Sequence, residues 1–179
     1  KPDRDMDAVV RYLTGRGIHL DVIDYCITHR LVYQSRKYKN AVFVGYDLEG
    51  TAHYAALRST TGPYKGEAEG SDKHYSFSIA TGRDWRADAL LSLAGVFLPK
   101  RPGVVPMALT RFLGDYSQIQ TLRLHLDNDA IGRGAARGIL EGLGGKYQIH
   151  NAPPCWGKDV NDLLQMRLGL CKRREELSG

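Results

Sequence analysis

Apolar positions near the start of the chain recur every three to four residues, and further along they alternate with polar ones. The first spacing is typical of amphipathic helices and the second of strands, so the first half predicts two short helices followed by a strand meander. Gly15 and Gly17 are expected to end the first helix, and Asp21 to begin the second as its cap or first-turn acid. The expected elements are helices at residues 7–13 and 21–29 and strands at residues 31–34, 41–45 and 52–57.

Turn residues separate these strands. Residues 47–50 (Asp-Leu-Glu-Gly) predict a turn, so the second and third strands are expected to form a hairpin. Residues 62–63 and 66–71 are rich in glycine, proline and charge, and they predict loops.

The second half alternates strands with helices, which predicts a parallel sheet covered by helices on both faces. The apolar run at residues 90–98 is too long and too uniform for a half-exposed hairpin strand. We therefore place a boundary near residues 72–82, between an N-terminal subdomain (1–78) and an α/β domain (79–179). The further elements expected are helices at 106–116, 130–143 and 159–170 and strands at 121–126 and 147–150.

Composition narrows the class of protein. The chain of 179 residues is 42% hydrophobic and 25% charged, as in ordinary globular proteins, and no run approaches the roughly 20 apolar residues of a membrane span. Residues 1–7 lack the apolar core of a signal peptide, and three widely spaced cysteines without a C-x-x-C pair predict neither a zinc module nor a disulfide framework. We expect a cytoplasmic protein. Its net charge of +5 agrees with a polyanionic partner, although many basic proteins bind no nucleic acid.

Two carboxylates follow the apolar strand at residues 121–126. Asp127-Asn128-Asp129 stands between that strand and a helix rich in glycine and alanine. Ligands of parallel sheets sit beyond the carboxyl ends of the strands, and Mg²⁺ takes one or two carboxylates together with waters and substrate phosphates. Gly132 and Gly134 would let a phosphate approach the start of the helix. The alternative is a solvated turn in which an aspartate caps the helix.

A second group of polar residues lies at 157–164. Lys158 could reach a phosphate, while Asp159 could cap the following helix or hold a metal-bound water. A helix cap among ordinary surface charges is an equally good interpretation.

Two sets of motifs resemble a known family. The second half contains Leu126-Asp127-Asn128-Asp129-x-x-Gly132, Ala135-Ala136 and Gly157-Lys158-Asp159-x-Asn161-Asp162-Leu163-Leu164. These motifs resemble the Toprim domain, which bacterial primases, type IA and type II topoisomerases and some nucleases share. The first half contains Tyr12-Leu13-x-x-Arg16-Gly17-Ile18, Ala41-Val42-Phe43-x-Gly45, Leu57-Arg58-Ser59-Thr60 and Gly70-Ser71-Asp72-Lys73. It resembles the segment that precedes Toprim in primase-like proteins of bacterial conjugative elements, a segment catalogued as a domain of unknown function.

The resemblance implies a doubly wound parallel sheet with helices on both faces, preceded by a small α+β primase-like subdomain. It also implies Mg²⁺- or Mn²⁺-dependent phosphodiester chemistry in which Asp127 and Asp129 hold metal with Asp159 nearby. The implied partners are DNA, preferably single-stranded, nucleoside triphosphates and a relaxase or other replication protein of a mobile element. The residues implied to contact phosphate or nucleic acid are Arg58, Lys65, Lys73, Arg133 and Lys158. For Arg58, Lys65 and Lys73 the alternative is that they are ordinary loop cations.

The chain departs from this pattern where the family's first strand should end in glutamate, between Ile79 and Leu90. Residues 80–89 contain neither an apolar strand nor a glutamate; Asp84 and Asp88 keep the family's four-residue spacing, but Asp84 is a weak substitute. Such a first strand is central to a doubly wound sheet. We therefore expect about one strand and one helix to be missing here, with a backbone break between Ile79 and Asp84 and an edge strand at residues 91–96. A genuine deletion, leaving an inactive relic, is the alternative.

Four functions stay open. A primase-like nucleotidyltransferase in mobile-element replication or transfer is favoured, with a metal-dependent nuclease close behind, since one scaffold hosts several chemistries. A non-catalytic module that binds DNA or a partner through a degenerate site is the third. A small-molecule phosphotransferase is the fourth, and the Lys158-Asp159-x-Asn161 pattern argues against it.

Overall fold

The computed structural model describes residues 1–81, 90–94 and 104–170, which form a mixed α/β protein. The helices are α1 (Asp7–Gly15), α2 (Leu20–Thr28), α3 (Met107–Asp115), α4 (Ala130–Leu143) and α5 (Val160–Arg167). The strands are β1 (Val32–Gln34), β2 (Ala41–Tyr46), β3 (Ala52–Arg58), β4 (Lys65–Glu67), β5 (Phe77–Thr81), β6 (Leu90–Ala94), β7 (Thr121–Leu124) and β8 (Gln148–Asn151).

The N-terminal half is an antiparallel sheet of order β1-β2-β3-β4, with α1 and α2 packed beside β1 and β2. The expected hairpin of β2 and β3 is confirmed. Asp21 lies in the first turn of α2, and His19 is the cap. The core that joins the helices to the sheet consists of Val9, Leu13, Ile23, Cys26, Val32 and Ala41.

Gln34 of β1 fastens the start of α1 to this sheet. Its side chain is fully buried, and its Oε1 accepts hydrogen bonds from the backbone N–H groups of Ala8 at 2.9 Å and Val9 at 3.2 Å. Its Nε2 donates to the carboxylates of Asp3 and Asp5. The first N–H groups of a helix lack partners inside the helix, so Gln34 takes the role of a cap from a distant strand.

Two elements differ from expectation. Residues 66–71 were expected to form a loop, but Lys65, Gly66 and Glu67 form β4, paired with β3. The apolar run beginning at Leu90 was expected not to be a hairpin strand, but β6 pairs antiparallel with β5 from Thr81↔Leu90 to Phe77↔Ala94. In both cases hydrogen bonds to the partner strand stabilise a strand that the local sequence pattern does not predict.

In the C-terminal half, β7 and β8 form a parallel pair, as expected. Residues of α3, β7 and α4 enclose the second core, which consists of Leu113, Leu122, Leu124, Ala136 and Ile139. In the described ranges, β7 and β8 make a two-stranded parallel sheet, which confirms the mixed α/β class. A doubly wound sheet with helices on both faces stays a prediction.

The two halves touch through residues of both resemblance motifs. Asn161 at the start of α5 donates its amide to the carbonyl of Arg16 at 2.8 Å. Gly17 has φ +83°, and a Cβ placed there would lie 2.7 Å from Leu168 of the α5 end. Glycine at position 17 therefore allows both the left-handed backbone conformation and the close packing of the end of α5.

The expected break between Ile79 and Asp84, and Asp84 itself, lie largely outside the described residues, which resume at Leu90. Within the described ranges, β6 pairs with β5 alone. No helix among the described residues is long and apolar enough to cross a membrane.

Candidate functional site

The site is built where the parallel strands β7 and β8 end. The N–H of Ala152 donates to the carbonyl of Leu124 at 2.9 Å, and the ring of His125 is hydrogen-bonded to the carbonyl of Ala152 at 2.8 Å. These bonds hold the two segments side by side beyond the strands. The segment from Asp127 to Asp129 therefore emerges at the carboxyl edge of the sheet, where ligands of parallel sheets bind.

Asp129 is the N-cap of α4. Its Oδ1 accepts a hydrogen bond from the N–H of Gly132 at 2.8 Å, so the capping interpretation holds for this residue. Its other oxygen, Oδ2, faces Lys158 at 3.3 Å. The Gly132 N–H, and after it the Lys158 ammonium, hold the pKa of the Asp129 carboxyl below its usual range. Asp129 is thus ionised and keeps one oxygen for a cation while the other caps the helix.

Gly132 brings the start of α4 against the strand end. A Cβ built on this residue would lie 2.0 Å from the carbonyl oxygen of Asp127, a distance that real Cβ atoms do not reach. The close approach of helix and loop therefore requires glycine at this position. This contact holds the start of α4, which Asp129 caps, close to the backbone of Asp127.

Lys158 places its ammonium between the two carboxylates. Its Nζ lies 3.6 Å from Oδ2 of Asp127 and 3.3 Å from Oδ2 of Asp129. The Asp129 hydrogen bond and charge, with Asp127, raise the pKa of Lys158. The backbone carbonyl of Lys158 also accepts from the N–H of Asn128 at 2.7 Å. Two oxygens from two aspartates thus converge on one cationic group that stays largely exposed to solvent.

Asp159 does not join this pair. It caps α5, accepting the N–H of Asp162 at Oδ1, 2.8 Å away. Asp162 in turn accepts the N–H of Lys158 at 2.8 Å and so fixes the segment that carries the lysine. Within the described ranges, no three histidine, cysteine or carboxylate side chains are grouped so that they could hold a metal ion.

Beside the carboxylates lies an open cleft of about 350 Å³, lined by Ala130, Arg133, Arg137 and Asn151. Arg133 donates to Oδ1 of Asn128 at 3.1 Å, which holds its guanidinium near the aspartates. Arg137 follows one helical turn later, on the same face of α4. Arg137 was not predicted as a site residue, although its four-residue spacing from Arg133 was the available signal. Two guanidinium groups facing one cleft suit an anionic ligand.

The other expected cations lie in the N-terminal half. Arg58 and Lys65 are register partners on β3 and β4, and Lys73 forms an ion pair with Glu67 at 3.3 Å. Arg133 and Lys158, in contrast, stand at the strand ends with Asp127 and Asp129.

Part of the chain matches a protein family whose function is unknown. Residues 11–83 match the family described as "Protein of unknown function (DUF3991)". The chain is 27% identical to the "65 kDa protein" of Zymomonas mobilis subsp. mobilis, with 96% of the chain aligned, and it spans about a third (33%) of that relative. The alignment is 201 residues long, so at least 22 of its positions face no residue of the 179-residue chain. No solved structure matches the chain significantly.

Proposed function

We propose that this chain is a Toprim-type, Mg²⁺-dependent nucleic-acid protein, and that its C-terminal half performs primase-like nucleotidyl transfer in the replication or transfer of a mobile element. The observation that carries the proposal is the convergence of Asp127 and Asp129 on one cation at the carboxyl edge of β7. An arginine-lined cleft for an anion adjoins it.

The donor set fits a hard divalent cation. Both convergent atoms are carboxylate oxygens, and Mg²⁺ is bound by one or two carboxylates, waters and substrate phosphates. The ammonium of Lys158 stands where a cation is favoured, so it neutralises the pair until a metal ion replaces it. Asp127 and Asp129 would hold the ion. When bound, it would polarise a phosphoryl oxygen and neutralise charge on the transferring group.

The neighbouring cations complete the proposed chemistry. Arg133 and Arg137 line the cleft next to the carboxylates and would bind the phosphates of a nucleotide or of the nucleic-acid strand. A Lys158 ammonium displaced from the aspartates would stay within reach of the same phosphates, because Asn128 and Asp162 hold its backbone in place.

Titration with Mn²⁺ tests the metal site directly. We expect Asp127→Asn/Asp129→Asn to lose most of the affinity of the unmodified protein, measured as free Mn²⁺ by electron paramagnetic resonance. Asparagine caps a helix about as well as aspartate, so α4 should persist. The matched control is Asp21→Asn/Asp24→Asn, which removes two exposed carboxylates from α2 and should leave affinity unchanged. Equal affinity in the unmodified protein and the Asp127/Asp129 variant would refute the assignment.

A binding role without catalysis is the second candidate. It is favoured by the absence of a third carboxylate near the pair in the described part of the chain and by the missing family glutamate. One assay separates the candidates: a single-stranded DNA template incubated with Mg²⁺ and labelled nucleoside triphosphates. Extended labelled products indicate primase-like transfer, shortened template indicates a nuclease, and unchanged template retained by the protein indicates binding alone.

A further inference from the structure

One end of the N-terminal sheet gathers basic and aromatic side chains that the site at Asp127 does not use. The turn between β1 and β2 reads Arg36-Lys37-Tyr38-Lys39, and all four residues are exposed. The turn between β3 and β4 ends in Tyr64, followed by Lys65 on β4. Tyr38 is 66% exposed and Tyr64 is 55% exposed, which is high for rings of this size.

The register places both turns at the same end of the sheet. Gln34 faces Ala41 across β1 and β2, Ala41 faces Arg58 across β2 and β3, and Arg58 faces Lys65 across β3 and β4. A hydrogen bond of 3.0 Å from the Thr60 hydroxyl to the Lys39 carbonyl joins the turns directly. With strands about 4.8 Å apart, the four strand ends span roughly 14 Å.

The charge of this surface is positive. Lys39 is neutralised by Asp3, and its ammonium lies 3.8 Å from Asp5. In contrast, no ion pair to an acid is formed by Arg36, Lys37 or Lys65 within the described residues. The Lys37 ammonium lies 4.8 Å from the centre of the Tyr38 ring, so a positive charge and an exposed aromatic ring stand side by side on this surface.

We infer that this surface, which comprises the turn at residues 36–39, the turn at residues 59–64 and Lys65 of β4, binds single-stranded nucleic acid. Arg36, Lys37 and Lys65 would contact phosphates, and Tyr38 and Tyr64 would stack on unpaired bases. Proteins that bind single strands without sequence preference combine a positive track with aromatic platforms in this way. Exposed rings favour a single strand over a duplex, because the bases of a duplex are already stacked. The inference rests on the proposed function only in sharing a nucleic-acid ligand, since the surface uses none of the metal-site residues.

Fluorescence anisotropy of a labelled oligothymidylate, with the intact chain in EDTA, tests the surface apart from the metal site. We expect Lys37→Ala/Lys65→Ala to weaken binding and to lower the slope of log affinity against log salt by about 1.4, at roughly 0.7 per phosphate contact. Arg123→Ala/Lys146→Ala, the matched control, removes two exposed positive charges elsewhere and should leave affinity and slope unchanged.

The aromatic contribution is tested separately. Tyr38→Ala should weaken binding at least about fivefold with the salt slope unchanged, whereas Tyr38→Phe should bind like the unmodified protein. The assay contains EDTA and changes none of the metal-site residues, so a failed metal site leaves this result standing. Equal binding by Lys37→Ala/Lys65→Ala and its control, or tighter binding of a duplex of the same length, would overturn the inference.

Discussion

Adding a methyl group at Gly132 should destabilise the folded protein, whereas adding one at Gly134, two residues further along α4, should stabilise it. Alanine is favoured over glycine in a helix by about 1 kcal/mol. At Gly134 an added Cβ meets nothing within 4 Å, so Gly134→Ala should raise the free energy of unfolding by about that amount. At Gly132 the Cβ would lie 2.0 Å from the carbonyl oxygen of Asp127.

The cost at Gly132 follows from this contact. The separation must grow from 2.0 Å to at least 3.0 Å, and the obstacle is backbone rather than a flexible side chain. Overpacking of this kind costs about 1 to 3 kcal/mol. The shift also strains the hydrogen bond from the Gly132 N–H to Asp129, and a lost cap costs about 1 kcal/mol. After the helix-propensity gain, Gly132→Ala should destabilise the protein by about 1 to 3 kcal/mol.

Urea unfolding followed by circular dichroism measures both variants. A second readout links the geometry to the site, because Gly132→Ala should weaken Mn²⁺ binding while Gly134→Ala should not. If the two variants prove equally stable, α4 does not approach Asp127 as closely as described. The proposed arrangement of Asp127 and Asp129 at the start of α4 then loses its support.

Two further predictions concern the capping interactions. Gln34→Leu should lower the free energy of unfolding by about 2 to 4 kcal/mol, because the part-buried N–H of Ala8 and the buried N–H of Val9 lose their acceptor. The same substitution at the exposed Gln118 should change it little, and equal urea midpoints for the two variants would contradict the role of Gln34. The pKa of Asp129 in the folded protein is lower than its pKa of about 3.9 in the unfolded chain, so the ionised carboxylate stabilises the fold at pH values above about 3.9. This stabilisation disappears as the pH falls through the pKa of the folded protein. The stability gap between unmodified protein and Asp129→Ala should therefore narrow in urea titrations as pH falls from about 5 to 3, and a gap that stays constant would contradict the ionised cap.

Much of the secondary structure could be predicted because local signals agree with packing. The helix at residues 130–143 was predicted with its observed bounds, since an aspartate cap, a regular apolar face and a closing Gly-Gly all point to it. β4 was missed because Lys65-Gly66-Glu67 has low strand propensity and forms only by pairing with β3.

The candidate site could be predicted only in part. The sequence shows that Asp127 and Asp129 follow a buried strand, but the interaction with Lys158 joins residues about thirty positions apart. Asn161 was recognised only as part of a motif, whereas the structure explains it through its hydrogen bond to the carbonyl of Arg16 in the other half. Contacts of this range depend on the fold as a whole, so spacing along the chain does not reveal them.

The alignment with the relative bears on the strand and helix that the resemblance leads us to expect between Ile79 and Asp84. At least 22 alignment positions face no residue of this chain, and a strand of about 6 residues, a helix of about 12 and their short connections amount to roughly that number. If these positions form one insertion between Ile79 and Asp84, its size equals that of the strand and helix expected there. The intact mass of the protein purified from its source tests the idea. A mass well above 19.9 kDa, with a glutamate ending the added strand, would complete the proposed catalytic site. A mass near 19.9 kDa with an unbroken backbone would mean that the deletion is real; the enzymatic proposal would then fall, and only the binding role would remain.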